Sequence, residues 1–140
     1  MKPEITSGNA GQDGLNFGGW FVGDLTAWQE QAGLPDKQAD YGLRDTGSLE
    51  VKWGVHRKGM RRPGGWAGSS PFTTLSLLVQ GSFDLHFRAP GEDLPNRHCP
   101  LRSQGDYAIW AQDCEHTWEA VEDSVVLTVR WRSPFRAEAE

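Results

Sequence analysis

Apolar and polar residues alternate along several short segments in the last two thirds of the chain. In the clearest of them, residues 48–56, the apolar residues Leu49, Val51, Trp53 and Val55 are separated by polar or small residues. Successive side chains of a β-strand point to opposite faces, so this period of two predicts a strand with one buried face. The four apolar residues are expected to form that buried face.

The same alternation and its turn residues predict further strands. They are expected at residues 73–79, 82–88, 106–111, 116–121 and 124–131. Gln80-Gly81 between the first two is a hairpin signal, and Glu122-Asp123 is a second turn. The proline-containing segment 89–104 is predicted to be a polar loop. Six short strands separated by turns favour an all-β sandwich or barrel.

The chain of 140 residues suits one domain with a single core. Residues 1–16 carry too few bulky apolar side chains to offset the entropy of ordering, which predicts a flexible N-terminal tail. Residues 17–132 are expected to form the domain, and residues 133–140 a polar C-terminal tail. Inside the domain, residues 17–23 predict a short first strand, and the capping-box pattern after it predicts a helix over residues 26–32.

Charge and composition exclude several classes of partner. Lys and Arg number 14 against 19 Asp and Glu, a net charge of −5 that would repel nucleic acid and anionic membranes. No apolar run reaches the roughly 18 to 20 residues of a membrane-spanning helix. The N-terminus has no apolar signal-peptide core, so a cytoplasmic location is expected. Cys99 and Cys114 are too few for a disulfide scaffold and are expected to be free thiols.

The segment from Gly105 to His116 resembles the second motif of the cupin family, written G(X)5PxG(X)2H(X)3N. Gly105 and His116 stand at the motif's positions, while Ala111 and Asp113 replace its Pro and Gly. In cupins that His is a metal ligand. The resemblance implies the same place for His116.

An earlier segment resembles the end of the first cupin motif, G(X)5HxH(X)3,4E(X)6G. Gly81 stands at the final Gly, and Thr74 replaces the Glu. Where the family has two metal-binding His, this chain has residues 66–71, which contain none. The resemblance therefore implies a cupin-type double-stranded β-helix, a jelly-roll barrel, whose metal site is degenerate.

A barrel of this kind has a central cavity that can take a small ligand. Residues two apart share a strand face, so Trp118 is expected to point inward with His116, and Ser76 with Thr74. Arg62 belongs to a basic cluster that would attract an anionic ligand, with a solvated loop as the alternative. The predicted ligand-binding residues are His116, Trp118, Trp66, Arg62, Thr74 and Ser76.

The cofactor is expected to be either absent or a single divalent transition metal. His116, Cys114 and His56 are its candidate ligands, because Cys114 lies two residues before His116 and both side chains suit a metal such as zinc. The structural alternatives are that His56 closes a loop hydrogen bond and that Cys114 is a small residue filling a turn. His86 is expected on the polar, solvent-facing side of its strand.

Three functions remain open at this point. The first is a small cytoplasmic protein that binds a small organic ligand in its barrel, with no metal or a degenerate site around His116. The second is a metal-dependent enzyme of the isomerase, lyase or dioxygenase type, as many cupins are. The third, which is compatible with either of the others, is an interaction or regulatory protein whose strand at 17–23 adds to a sheet edge of a partner or of a second copy, giving a homodimer.

Overall fold

A computed structural model describes residues 4–33 and 41–132. Its helices are α1 (Ala10–Asp13) and α2 (Leu25–Ala32), and 3-10 turns lie at Leu15–Phe17 and Gly42–Arg44. Its strands are β1 (Trp20–Val22), β2 (Leu49–His56), β3 (Phe72–Gln80), β4 (Phe83–Arg88), β5 (Arg97–Leu101), β6 (Tyr107–Trp110), β7 (Glu115–Ala120) and β8 (Ser124–Arg132). Within these ranges, neither helix has the length or apolar character to cross a membrane. The predicted tail at 133–140 lies outside the described residues.

The strands form two antiparallel sheets. The larger has the order β1-β2-β8-β3-β6, and the smaller has the order β5-β4-β7. Residues from both sheets pack into one core, with Leu78 and Val126 on the larger sheet facing Phe83 and Leu85 on the smaller. The predicted all-β jelly roll is confirmed, although the two sheets lie face to face without closing into a continuous barrel.

Most of the predicted elements are present. Strands β2, β3, β4, β6, β7 and β8 each begin and end within one residue of their predicted bounds. Helix α2 matches the predicted helix, and the N-terminal strand is shorter than expected, pairing with β2 at the edge of the larger sheet. Helical turns lie at Ala10–Asp13 and Leu15–Phe17, largely within the predicted N-terminal tail, whose flexibility stays a prediction.

The hairpin predicted at Gln80-Gly81 is wrong. Strand β3 pairs with β6 and β8, whereas β4 pairs with β5 and β7, so this turn carries the chain from one sheet to the other. Gly81 has φ +100°, and a Cβ there would lie 2.3 Å from the carbonyl oxygen of Asp123. Asp123 belongs to the connection between β7 and β8, which also crosses from one sheet to the other. The two crossings are therefore in contact, which only glycine allows at position 81.

The predicted loop at 89–104 contains a strand that sequence patterning missed. Strand β5 has mostly exposed side chains and carries Pro100, so it shows no apolar alternation. Proline is tolerated here because β5 is an edge strand of the smaller sheet. Pairing with β4 supplies the order that the local sequence does not, and it sets His98 opposite His86.

The predicted inward face of β2 is the wrong face. Val55 is 65% exposed, while Lys52 and His56 line the space between the sheets. Part of the apolar face is accommodated by the N-terminal segment, because Trp53 lies in a surface groove with Gly11 and Leu15. The space between the sheets is polar next to β2. The usual rule that apolar side chains point inward therefore predicts the wrong inward face for this strand.

Candidate ligand-binding cavity

A cavity of about 260 Å³ lies between the two sheets. Strands β2, β3 and β8 line it from the larger sheet, β4 and β7 line it from the smaller, and the segment that follows β2 closes one side. Its position is that of the predicted barrel interior. Phe83, Leu85 and Val126 belong both to the lining of the cavity and to the core, so the two are continuous.

Three cationic side chains line this cavity: Lys52, Arg62 and Arg130. The indole of Trp20 contacts two of them, with Lys52 Nζ 5.8 Å and Arg130 Cζ 4.1 Å from ring centroids of that side chain. Arg130 also forms an ion pair with Glu50 on the neighbouring strand. Among the described residues that line the cavity there is no Asp or Glu.

Partial burial and the neighbouring positive charges both affect the protonation of Lys52. Burial lowers the pKa of Lys52, and the positive charges of Arg130 and Arg62 lower it further. The guanidinium of Arg62 donates to the backbone carbonyls of Pro63 and Gly65, at 3.2 and 3.1 Å, which holds its side chain near the cavity. The site is therefore a preformed region of positive potential.

Two histidines in the cavity are held neutral. Burial, with a smaller contribution from Lys52, lowers the pKa of His56 to about 4. Burial followed by the charges of Arg62, Lys52 and Arg130 lowers the pKa of His116 to about 4. Both imidazoles are therefore uncharged hydrogen-bonding groups near neutral pH.

The histidine rings are packed against aromatic neighbours. The His56 ring lies 4.3 Å from a Trp118 ring and 5.3 Å from Phe83, centroid to centroid, and its buried Nδ1 has no hydrogen-bond partner within the described part of the chain. The His116 ring lies 4.9 Å from a ring of Trp110. A buried polar atom without a partner is costly, so a bound ligand or water that bonded to it would be stabilised.

The opposite wall of the cavity provides hydroxyl groups. Ser76 Oγ and Thr128 Oγ1 lie 2.8 Å apart, and Thr74, at the position of the motif's Glu, is buried beside them on the same strand. None of these groups carries charge. The wall can therefore orient a polar ligand without attracting a metal ion strongly.

The free energy of unfolding is expected to fall as the pH drops from about 6.5 toward 4. An unfolded imidazole has a pKa near 6.5, so in this range the unfolded chain binds more protons than the native one, in which His56 and His116 stay neutral. Each residue adds at most about 1.4 kcal/mol per pH unit, and the contribution of each fades as the pH rises past 6.5. Urea unfolding at a series of pH values measures the slope, which His116→Gln should reduce. A slope that His116→Gln leaves unchanged would contradict this account.

Most of the predicted site residues line the cavity. His116, Trp118, Arg62, Thr74 and Ser76 do so, and the metal candidates Cys114 and His56 do as well. The exception is Trp66, which is not part of the lining. A ring of its indole lies 4.3 Å from the guanidinium carbon of Arg88.

Sequence reasoning missed Lys52 and Arg130, the two strand residues that give the cavity much of its charge. The signal was present, because Lys52 alternates in phase with Gly54 and His56. The prediction placed the apolar face of β2 inward, so the face that carries Lys52 was not considered as a lining of the cavity. Arg130 shares its strand face with Thr128, which also lines the cavity.

The cavity does not fit the divalent metal that the motif resemblance allows. Three cations line it, no lining carboxylate is described, and the same charges that lower the pKa of His116 would repel a metal ion. In residues 4–33 and 41–132, one group of three potential ligand side chains has its ligand atoms within 4.8 Å of one another, and it is Asp84, His86 and His98. The predicted trio of His116, Cys114 and His56 is not such a group.

Comparisons with known proteins address the fold. No family model matches the sequence, and a search of curated proteins found no relative. Among solved structures, KdgF from Halomonas sp. matches with a TM-score of 0.51 at 18% identity, over 66% of this chain and 76% of that one. A cupin superfamily protein from Desulfitobacterium hafniense DCB-2 matches with a TM-score of 0.52 at 12% identity, over 63% and 71%. The chain has the cupin fold.

One of the solved structures that match this chain is that of an enzyme. Hydroquinone 1,2-dioxygenase PnpCD, in complex with Fe³⁺, matches with a TM-score of 0.52 at 11% identity, over 63% of this chain and 26% of that one. Identities this low establish a shared fold and carry no activity with them. The chemistry of this chain's own cavity therefore decides which function is proposed.

Proposed function

We propose that this cupin binds a small organic anion, carrying a carboxylate or phosphate group, in the cavity between its sheets. The observation that carries the proposal is the convergence of Lys52, Arg62 and Arg130 on a cavity with no acidic residue among its described lining. Burying cations without counter-charges is costly, and of these three cations only Arg130 has an ion-pair partner, Glu50, within residues 4–33 and 41–132. A bound anion would offset that cost.

The remaining lining suits an organic rather than an inorganic anion. The indoles of Trp20 and Trp118 offer flat apolar contact, while neutral imidazoles and the Ser76 and Thr128 hydroxyls offer hydrogen bonds. Guanidinium groups pair with carboxylates and phosphates through two parallel hydrogen bonds. Drug-sized ligands occupy pockets of roughly 300 to 1,000 Å³. A cavity of about 260 Å³ therefore favours a smaller molecule.

Calorimetric titration with matched probes tests the proposal. Benzoate and benzamide have nearly the same shape and differ in charge, and phenyl phosphate and succinate extend the comparison to other anions. We expect the anions to bind and benzamide to bind much more weakly, with affinity falling as salt is added. Equal binding of benzoate and benzamide, or no binding of any anion at millimolar concentration, would contradict the proposal.

The cavity favours binding over proton-transfer catalysis. A general base works best when its pKa lies near the working pH, and His56 and His116 have pKa values of about 4. The metal-dependent isomerase, lyase or dioxygenase is not favoured by the donor set of this cavity. The cytoplasmic location stays a prediction.

A homodimer is a second proposal, supported by the other edge of the larger sheet. Strand β6 is an edge strand, and its side chains Tyr107 and Ile109 are 63% and 52% exposed. The strand that was predicted to pair with a partner, β1, pairs with β2 of its own chain. Exposed apolar side chains on an edge strand are a common contact between subunits.

If β6 forms that contact, the double variant Tyr107→Lys and Ile109→Lys is expected to convert a dimer to a monomer, as light scattering would show. Val55→Lys is the control, because Val55 is 65% exposed on β2, which β8 and β3 separate from β6 in the sheet. A wild-type mass of 15.6 kDa in solution would contradict the homodimer.

A further inference from the structure

Three polar side chains meet on the outer face of the smaller sheet. Strand β4 supplies Asp84 and His86, which are two residues apart and share a face. The neighbouring strand β5 supplies His98, which is paired with His86 in the sheet register. The other face of β4 carries the core residues Phe83 and Leu85, so the cluster lies on the side of the sheet away from the anion cavity.

The three ligand atoms are close together. One nitrogen from each imidazole and one carboxylate oxygen all lie within 4.8 Å of one another. His98 Nε2 lies 3.0 Å from Asp84 Oδ1, and the His86 and His98 rings are stacked with centroids 4.6 Å apart and an interplanar angle of 13°. The Asp84 side chain is 16% exposed and that of His98 is 48% exposed. The cluster thus combines a mostly buried carboxylate, that of Asp84, with a solvent-exposed imidazole, that of His98.

We propose that Asp84, His86 and His98 form a binding site for a divalent transition-metal ion of the zinc type. Two imidazoles and one carboxylate, with a fourth position left to water, are a ligand set that Zn²⁺ accepts. Tetrahedral ligands about 2.1 Å from the ion lie roughly 3.4 Å apart. The ligand atoms lie within 4.8 Å of one another, so binding requires the side chains to draw together, and the 48% exposed His98 is the one that we expect to turn.

One cation already competes for the carboxylate. Arg102 donates to Asp84 Oδ1 at 2.6 Å, and its side chain is 46% exposed, so it can swing into solvent when a metal ion takes its place. On the same face, Glu119 of β7 is paired in register with Asp84 and adds negative charge, although Arg61 lies 3.7 Å from it. The proposal therefore makes Arg102 a competitor of the ion rather than a ligand.

Calorimetric titration of the purified, untagged chain with Zn²⁺ alone tests the site, and Co²⁺ absorption reports whether the ligand geometry is tetrahedral. We expect one ion per chain, and a loss of at least about 10-fold in affinity in His98→Ala and in His86→Ala. Arg102→Met should bind Zn²⁺ several-fold more tightly because the competing guanidinium is gone. The control is His116→Gln, which changes a histidine in the cavity and should leave Zn²⁺ affinity unchanged.

Each outcome decides for or against the site. No binding of Zn²⁺ at micromolar concentration, or equal affinity in wild type, His86→Ala and His98→Ala, would overturn the proposal. Loss of binding in His116→Gln alone would place the ion in the cavity instead. Circular dichroism shows whether a variant is folded, and because His98 is exposed on an edge strand, His98→Ala keeps the test valid if His86→Ala does not fold. The result is independent of anion binding, since the two sites lie on opposite faces of the smaller sheet.

Discussion

Replacing Lys52 with methionine is expected to weaken the binding of benzoate at least about 10-fold. A hydrogen bond to a charged group contributes roughly 1.5 to 3 kcal/mol, and 1.4 kcal/mol corresponds to a factor of ten in affinity. Methionine keeps most of the length of the Lys52 stem and removes its charge, so the change acts mainly on the potential in the cavity. The neutral probe benzamide should lose little affinity.

The control for this substitution is Lys58→Met, which makes the same change in net charge. Lys58 is exposed and lies 3.5 Å from Glu122, outside the lining of the cavity. A second readout does not depend on any ligand. The charge of Lys52 is one of the causes that lower the pKa of His116, so Lys52→Met should raise that pKa from about 4, as NMR titration of the imidazole would show.

Two results would contradict the account of the cavity. One is an equal loss of benzoate affinity in Lys52→Met and Lys58→Met, which would mean that net charge alone governs binding. The other is an unchanged pKa of His116 in Lys52→Met, which would mean that the cations do not share one low-dielectric region. Lys52 is the better test residue than Arg130, because removing Arg130 would also leave Glu50 without its ion-pair partner.

The second large effect is expected for Gly81→Ala, which should lower the free energy of unfolding by about 3 kcal/mol or more. Two costs add at this position. The backbone has φ +100°, which L side chains rarely adopt, and the new Cβ would lie 2.3 Å from the Asp123 carbonyl oxygen and 2.6 Å from the Cα of Ser124. Both contacts are with backbone, so neither can be relieved by rotating a side chain.

Gly105→Ala separates the two costs. Gly105 also has a positive φ, +92°, but a Cβ there would meet nothing within 4 Å. This variant should lose only the conformational part, of order 1 to 2 kcal/mol. Urea unfolding of both variants gives the difference. Equal losses would show that the two crossings between the sheets are not in tight contact at Gly81.

Local sequence predicted the strands well, because a period of two and its turn residues are properties of a few neighbouring positions. It did not predict how the strands pair. Gln80-Gly81 has the composition of a hairpin turn, yet β3 and β4 belong to different sheets. Strand β5 has no apolar alternation and is ordered by its pairing with β4. Pairing depends on residues far apart in the chain, which no local pattern encodes.

The residues of the candidate site could likewise be predicted only in part. The motif resemblance led to His116, and alternation added Trp118 and Ser76. Lys52 on β2 and Arg130 on β8 were not predicted, because alternation distinguishes the two faces of a strand and does not say which face points inward. Here the inward face of β2 carries Lys52, so the apolar face was chosen wrongly.

The all-β class and the cupin-like fold could be predicted without the structure, because alternation, glycine turns and the two partial motifs each depend on residues that are close together in the sequence. The tertiary structure alone decided which side chains meet. It brought Lys52, Arg62 and Arg130 together around one cavity, and it set His98 beside His86 on the opposite side of the smaller sheet. The physical reason is that charge and ligand geometry act through space. The distances that matter are therefore created by strand pairing between segments distant along the chain.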